Sequence, residues 1–280
     1  MLSKSEIKNL EKKFGFIPHK KLGQNFLIDA NIKNKLLDFA NVKKSDVVLE
    51  IGSGLGQLTF DLSKMAKKVI AVEFDRKLFS VFSEFTKDFA NIVPVHDDFL
   101  KFNLGEFVPK GRKVKVISNL PYYISARVLL KLCAHNEYID SALLTLQKEV
   151  AGRLTALPRT KEYGSLTLFA EFHSEIKKLF DVKKNSFYPV PRVDSTVVFM
   201  RIRTKPPVKT GSRKVLFELI RAGFSTRRKT LLNALSAQNY NGLSKKRLRE
   251  IFKAAGIDSN ARAETLSLGD FARISNTAGR

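Results

Sequence analysis

The feature that most constrains the fold is a short apolar run that is followed at once by closely spaced glycines. Residues 47–51 are predicted to form a buried strand, and Gly52-Ser53-Gly54-Leu55-Gly56 comes directly after it. An apolar-periodic helix is predicted over residues 57–66. This order is typical of the opening unit of a nucleotide-binding α/β sheet, so we predict an α/β fold with a mostly parallel sheet. The spacing G-x-G-x-G differs from the dinucleotide pattern. It favours a nucleoside ligand without a pyrophosphate and argues against a nicotinamide dehydrogenase.

Two further predicted strands end in acidic side chains. Residues 68–72 lead to Glu73, and residues 91–95 are followed by Asp98 and Phe99. Ligands of open α/β sheets bind at the carboxyl ends of the strands. We therefore predict that Glu73 binds the ribose hydroxyls and that Asp98 accepts a hydrogen bond from an adenine amino group beside Phe99.

The next predicted strand, over residues 114–117, leads into the segment Ser118-Asn119-Leu120-Pro121-Tyr122-Tyr123. The side-chain oxygen of Asn119 and the main-chain carbonyl of Leu120 are two acceptors for the N–H groups of one exocyclic amine. Pro121 restricts the backbone around that carbonyl, and the Tyr122 ring offers a surface on which a base stacks. Two acceptors on one amino nitrogen direct its lone pair away from the ring and make it a usable nucleophile. The alternative is a proline turn with a half-buried tyrosine.

The charge balance favours a nucleic-acid partner. The chain has 50 Lys and Arg against 27 Asp and Glu, a net charge of +23, which is typical of polyanion binders. Residues 208–280 contain fifteen Lys and Arg against five Asp and Glu and show helical periodicity. There, Arg227, Arg228 and Lys229 lie beside hydroxyl side chains and are predicted to bind RNA phosphates. Solvated lysines and an anionic membrane are the weaker explanations.

Several classes of protein are disfavoured by features that the sequence lacks. Cys133 is the only cysteine, which rules out an intrachain disulfide and suits a reducing cytosol, and its apolar surroundings predict burial. The four histidines show no metal-ligand spacing, so no metal is predicted. No apolar run is long enough for a membrane span and the start lacks a signal peptide, so a cytoplasmic protein is expected.

The segment 205–208, Lys-Pro-Pro-Val, is the predicted domain boundary. It divides the chain into a basic N-terminal arm (residues 1–19), a catalytic domain (residues 20–205) and a small all-α domain (residues 208–280). The arm is predicted to be a short polar helix, either a basic arm or a solvated terminus.

Six segments, taken in order, resemble the bacterial small-subunit ribosomal RNA adenine dimethyltransferases, the kasugamycin-sensitivity family. They are Gly23-Gln24-Asn25-Phe26-Leu27, residues 50–56, Asn119-Leu120-Pro121-Tyr122, Gln147-Lys148-Glu149-Val150-Ala151, residues 187–195, and Arg227-Arg228-Lys229-Thr230-Leu231. The resemblance implies a class I, Rossmann-like methyltransferase with a mostly parallel seven-stranded sheet and a helical C-terminal domain. It also implies S-adenosylmethionine as methyl donor. The implied substrate is a pair of adjacent adenosines in the 3′-terminal hairpin of 16S rRNA, in the small subunit or its precursor, each dimethylated on N6.

The same resemblance assigns roles to individual residues. It implies that the cofactor is bound by Asn25, Leu27, Gly52, Gly54, Glu73, Asp98 and Asn119. It implies that Asn119, Leu120, Pro121, Tyr122 and Phe187 form the catalytic site, with Tyr122 and Phe187 stacking the flipped adenine. From its own surroundings, Phe187 is equally consistent with a hydrophobic plug. A monomer is expected.

Two other functions remain open at this point. One is a macrolide-resistance methyltransferase acting on large-subunit rRNA, which shares the Asn119 segment and the fold. The other is a ribosome assembly factor that acts mainly by binding.

Overall fold

The computed structural model describes residues 1–19, 23–109, 111–226 and 228–279. The chain divides into two compact units, which are Met1–Ala151 with Ile176–Ile202, and Gly152–Glu175 with Arg203–Arg280. The predicted boundary at residues 205–208 lies just after this division. Residues 152–175 group with the C-terminal unit, which no pattern in the sequence had predicted.

The described residues contain nine strands and eleven α-helices. The strands are β1 (Phe26–Leu27), β2 (Val47–Ile51), β3 (Lys68–Glu73), β4 (Ile92–His96), β5 (Val114–Asn119), β6 (Ile139–Gln147), β7 (Ser174–Val182), β8 (Phe187–Tyr188) and β9 (Ser195–Ile202). The helices are α1 (Lys4–Phe14), α2 (Ala30–Ala40), α3 (Thr59–Met65), α4 (Arg76–Phe85), α5 (Ser125–Ala134), α6 (Lys148–Leu154), α7 (Ser165–His173), α8 (Arg213–Gly223), α9 (Leu231–Ala237), α10 (Lys245–Ala254) and α11 (Leu268–Ala278).

A seven-stranded sheet forms the centre of the first unit, in the order β4-β3-β2-β5-β6-β9-β7. Strands β2 to β6 pair in parallel, and β9 pairs antiparallel with β6. All five residues of β2 are buried, as expected for a strand inside a parallel sheet that is covered on both faces. The predicted α/β fold with a mostly parallel sheet is confirmed. Strands β2, β3, β4 and β5 therefore all end at one edge.

Helix α7 is followed at once by strand β7. The structure has helix α7 up to His173 and then strand β7, with Ser174 already extended. Strand β7 was missed because its burial pattern is irregular and most of its residues are at least partly exposed.

The N-terminal arm is an amphipathic helix that packs on the first unit. Ser3 and Glu6 form a capping box at the start of α1, and Gly15 ends it with a φ of 64°. Ile7 is fully buried in a cluster with Leu55 and other apolar residues, while the lysines of α1 face solvent. The arm is therefore anchored by its apolar face.

The second unit is helical in its described residues apart from the first two residues of β7. Its core is formed by apolar residues of α7 to α11, including Phe172, Leu219, Leu235, Phe252 and Phe271. No helix in the described ranges is long and apolar enough to cross a membrane.

Candidate active site

A cavity lies at the sheet edge where β2, β3, β4 and β5 end. Its walls include every residue that was predicted to bind a nucleoside cofactor: Asn25, Leu27, Gly52, Gly54, Glu73, Asp98 and Asn119. The parallel pairing of the strands explains this convergence, because their carboxyl ends meet at one edge. The structure thus brings the seven residues together, and the ligand they bind stays a prediction.

The glycine loop needs residues without side chains. Gly52 has a φ of 73°, and a Cβ there would lie 3.2 Å from two ring carbons of Pro121. Gly54 has a φ of 56°, and its Cβ would lie 3.0 Å from the Phe26 ring. Positive φ values and close neighbours both favour glycine. The loop therefore packs directly against the segment that carries Asn119.

Glu73 holds the glycine loop through its carboxylate. Its Oε2 accepts a hydrogen bond from the Gly54 N–H at 2.8 Å, and its Oε1 accepts one from the Asp75 N–H at 2.8 Å. Burial raises the pKa of the Glu73 carboxyl above its usual value, and the two backbone hydrogen bonds oppose that shift. This carboxyl at the end of β3 fixes the loop and lines the cavity at the same time.

Asp98 and Phe99 form the wall that follows β4. The Oδ1 atom of Asp98 accepts a hydrogen bond from the Leu100 N–H at 2.9 Å, which closes a tight turn. Phe99 is 3% exposed and lines the cavity beside Asp98. A carboxylate and a buried ring side by side suit the amino group and the face of a purine.

The amide of Asn119 is oriented by a single hydrogen bond. Its Nδ2 donates to the main-chain carbonyl of Asn25 at 2.9 Å. Its Oδ1 is buried and has no hydrogen-bond partner among the described residues. Next to it, the Leu120 N–H donates to the Thr145 carbonyl at 3.2 Å, which ties the segment to β6. The site therefore holds a fixed acceptor that lacks a donor, at the end of β5.

A second cavity adjoins the first and shares Gly23, Asn25 and Tyr123 with it. Tyr122 lines this cavity, and its hydroxyl lies 2.6 Å from the Ser195 hydroxyl at the start of β9. Burial raises the pKa of the Tyr122 phenol. Tyr123 is 48% exposed and lines both cavities. Two adjoining cavities with tyrosines between them suit two flat ligands.

The structure does not present Phe187 as a stacking surface. Its side chain is 1% exposed and packs in an apolar cluster with Leu27, Leu36 and Val197. Residue Phe187 also pairs with Leu27 in the two-stranded sheet of β1 and β8. In this arrangement Phe187 acts as a hydrophobic plug, which is the alternative that its sequence surroundings also allowed. Stacking on a base would require β8 to move. The residues that follow in the same loop, Pro189 to Arg192, do line the second cavity.

The residues predicted to bind RNA belong to the second unit. Arg228 and Lys229 are exposed in the turn before α9, whereas Arg227 lies outside the described residues. Their contact with RNA stays a prediction.

Sequence reasoning missed several side chains of the first cavity. Glu50 and Ser53 lie on its floor, and Gln24 lines it while donating to Asp75 Oδ2 at 3.1 Å. Their position inside or next to predicted motifs was a usable signal, because neighbours of a glycine loop or of a strand-end acid reach the same edge. The described residues contain no group of three His, Cys, Asp or Glu side chains placed to hold a metal ion.

Comparison with known proteins places this geometry in a family. The family model described as ribosomal RNA adenine dimethylase matches residues 15–279. A protein of Listeria innocua named Ribosomal RNA small subunit methyltransferase A is 42% identical over an alignment of 272 residues that covers 95% of this chain and 92% of that protein. A protein of the same name from Bacillus pumilus is 40% identical over 274 residues, covering 96% and 94% of the two chains. The crystal structure of a dimethyladenosine transferase from Plasmodium falciparum superposes with a TM-score of 0.74 at 27% identity, covering 89% of this chain and 95% of the other.

Proposed function

Because this chain belongs to the ribosomal RNA adenine dimethylase family, we propose that it dimethylates N6 of two adjacent adenosines in the 3′-terminal hairpin of 16S rRNA. The observation that carries the proposal is the buried Oδ1 of Asn119, which has no hydrogen-bond partner among the described residues and belongs to a residue that lines the first cavity. A buried acceptor without a donor destabilises the free protein by about 1–3 kcal/mol. An incoming amino group relieves that penalty.

The first cavity fits S-adenosylmethionine, which supplies a methyl group on a positively charged sulfonium. Its acidic lining, which includes Glu73, Asp75 and Asp98, suits a cationic ligand. We assign the ribose to Glu73 and the adenine amino group to Asp98, since these acids end adjacent strands. The backbone at Gly52 and Gly54 leaves room for close approach. Asn25 and Leu27 complete the wall.

The target adenine is held by two acceptors and a ring, of which the Tyr122 ring lines the second cavity. Asn119 Oδ1 and the Leu120 carbonyl accept the two N6 hydrogens, and the hydrogen bond from Asn119 to the Asn25 carbonyl keeps the oxygen of the amide toward the base. Pro121 restrains the Leu120 carbonyl, and Tyr122 stacks on the flipped base. Catalysis then comes mainly from positioning the amine, and no covalent intermediate with the protein is required.

The helical unit is proposed to hold the ribosomal RNA. Residues 208–280 carry a net charge of +10, and Arg228 and Lys229 are exposed cations suited to phosphate contacts. The enzyme would act as a cytoplasmic monomer on the small subunit or its precursor. Of the two rRNA substrates, the small-subunit one is favoured because the two bacterial relatives compared above are named as small-subunit enzymes.

The test is transfer of labelled methyl groups from S-adenosylmethionine to unmethylated small subunits, with large subunits in parallel and the modified base mapped. We expect N6,N6-dimethyladenosine only in the 3′-terminal hairpin of 16S rRNA. Label on large subunits would support the resistance-type activity instead. Subunit maturation that proceeds normally with an inactive Asn119 variant would show that binding, not methylation, is the main role.

A further inference from the structure

Lys131 lies in the second half of α5, the helix that begins just after the Asn119 segment. Its ammonium nitrogen donates to the main-chain carbonyl of Phe99 at 2.7 Å and to that of Phe102 at 2.5 Å. The same nitrogen lies 5.0 Å from the centroid of the Phe99 ring. A single cation therefore holds two carbonyls and one ring of the segment that follows β4.

That segment is the turn that presents Asp98. The Asp98 carbonyl accepts hydrogen bonds from the N–H groups of Lys101 at 2.7 Å and Phe102 at 2.9 Å, while its side chain binds the Leu100 N–H. The turn thus folds around Asp98, and Lys131 binds the Phe99 and Phe102 carbonyls of the same turn. Asp98 and Phe99 line the first cavity, so the turn that Lys131 contacts is also a wall of that cavity.

Lys131 is a half-buried cation. Burial lowers the pKa of its ammonium, and the nearby carboxylates of Asp97 and Asp98 oppose that shift. A partly desolvated ammonium is stabilised by the two carbonyls and by these acids. Lys101, in the same turn, is exposed instead.

We propose that Lys131 is a positioning residue for the adenine end of the cofactor site, acting through the turn that carries Asp98 and Phe99. The inference rests on the proposed function, because it takes the first cavity to bind an adenosine. It also links the two halves of the reaction. Helix α5 begins just after the base-binding segment, and its residue Lys131 contacts the wall proposed to bind the adenine.

The experiment compares Lys131→Met with Lys101→Met as the matched control and Lys131→Arg as the conservative variant. Binding of S-adenosylhomocysteine is measured by calorimetry, and amide hydrogen exchange of Lys101 and Phe102 is measured in the ligand-free protein. We expect Lys131→Met to weaken binding about tenfold, equivalent to about 1.4 kcal/mol, and to speed exchange of both amides. The KM for S-adenosylmethionine should rise by a similar factor with little change in kcat. Lys101→Met should match the wild type, and Lys131→Arg should retain most of the affinity, since a guanidinium still donates to carbonyls.

The inference would be overturned if Lys131→Met left both the affinity for S-adenosylhomocysteine and the amide exchange unchanged. A loss of kcat with unchanged affinity would overturn it as well. If Lys131→Met does not fold, Lys131→Gln keeps a neutral N–H donor and is expected to weaken binding about threefold. Equal affinity in that variant would overturn the inference as well. A wild-type protein that neither binds S-adenosylhomocysteine nor methylates rRNA would instead refute the proposed function.

Discussion

The Nδ2 atom of Asn119 donates to the main-chain carbonyl of Asn25 at 2.9 Å, and the buried Asn119 oxygen has no partner in the part of the chain that the structure describes. This contact joins two segments far apart in the sequence. It also fixes the orientation of the amide, because turning the amide over would place two oxygens together.

Asn119→Ala is expected to reduce methyl transfer by about 100-fold or more, since the amine loses a positioned acceptor. Binding of S-adenosylhomocysteine should change only a few-fold, because the remaining walls of the first cavity are intact. Single-turnover rates and calorimetry test this division of roles. A loss of binding as large as the loss of rate would contradict it.

Gly23→Ala is expected to disrupt both cavities. Gly23 has a φ of 62°, and a Cβ there would lie 2.8 Å from the Tyr122 backbone nitrogen. Gly15→Ala is the matched control, because Gly15 has a φ of 64° but no atom within 4 Å of the added carbon. Both variants should lose about 1 kcal/mol of stability from backbone strain. Only Gly23→Ala should lose methyl transfer, and equal activities of the two variants would show that the contact with Tyr122 is unimportant.

Phe187→Leu separates the two roles considered for this side chain. Phe187 is 1% exposed in the apolar core, so Phe187→Ala should lower the free energy of unfolding by about 3–5 kcal/mol. Phe187→Leu keeps most of the volume and should remain folded. If the ring only fills the core, the leucine variant keeps its methylation rate. A folded leucine variant with a much lower rate and normal cofactor binding would show that the ring stacks on the base.

Glu50→Gln should change how stability depends on pH. Burial raises the pKa of Glu50 from 4.5 to about 8, although the Thr59 hydroxyl donates to its carboxyl. Between these values the folded chain binds a proton that the unfolded chain releases. The free energy of unfolding therefore falls as pH rises through that window, by at most about 1.4 kcal/mol per pH unit. Glutamine keeps an acceptor for Thr59 and does not titrate, so urea unfolding at pH 5, 6.5 and 8 should show a shallower decline. Parallel curves for the two proteins would refute this expectation.

The double variant Arg228→Ala/Lys229→Ala should weaken RNA binding at all sequences. The slope of log affinity against log salt should also become less steep by about 0.7–0.9 for each lost phosphate contact. Lys8→Ala/Lys12→Ala, on the exposed face of α1, removes the same charge elsewhere. If this control lowers the slope equally, the effect is one of net charge, or the N-terminal arm binds RNA as well.

The functional residues at the strand ends were predictable because short sequence patterns determine where each strand ends. A buried strand followed by glycines, an acid or an Asn-Leu-Pro-Tyr segment places each group at the same edge once the strands run parallel. The positions of Gly52, Glu73, Asp98 and Asn119 at the ends of parallel strands therefore predict that they line one cavity, as they do.

Long-range contacts were not predictable in the same way. Nothing near Lys131 in the sequence indicates that it binds the carbonyls of Phe99 and Phe102. The burial of Phe187 depends on its pairing with Leu27 and on a core built from several strands and helices. The docking of α1 likewise depends on Ile7 meeting apolar residues that come much later in the chain.

The pairing of β1 with β8 has a consequence for the order of events during repeated methylation. Leu27 lines the cofactor cavity, and its partner Phe187 precedes the loop that borders the second cavity. A movement of β8 that frees the Phe187 ring also breaks the backbone pairing that holds the Leu27 wall. If release of the base requires this movement, the spent cofactor and the base would leave in one step, and the enzyme would be distributive. Monomethylated RNA should then dissociate and mix with fresh substrate. The measurement is a chase with unlabelled RNA during the first turnovers. Dimethylation of the labelled RNA without its release would show that the two walls open independently.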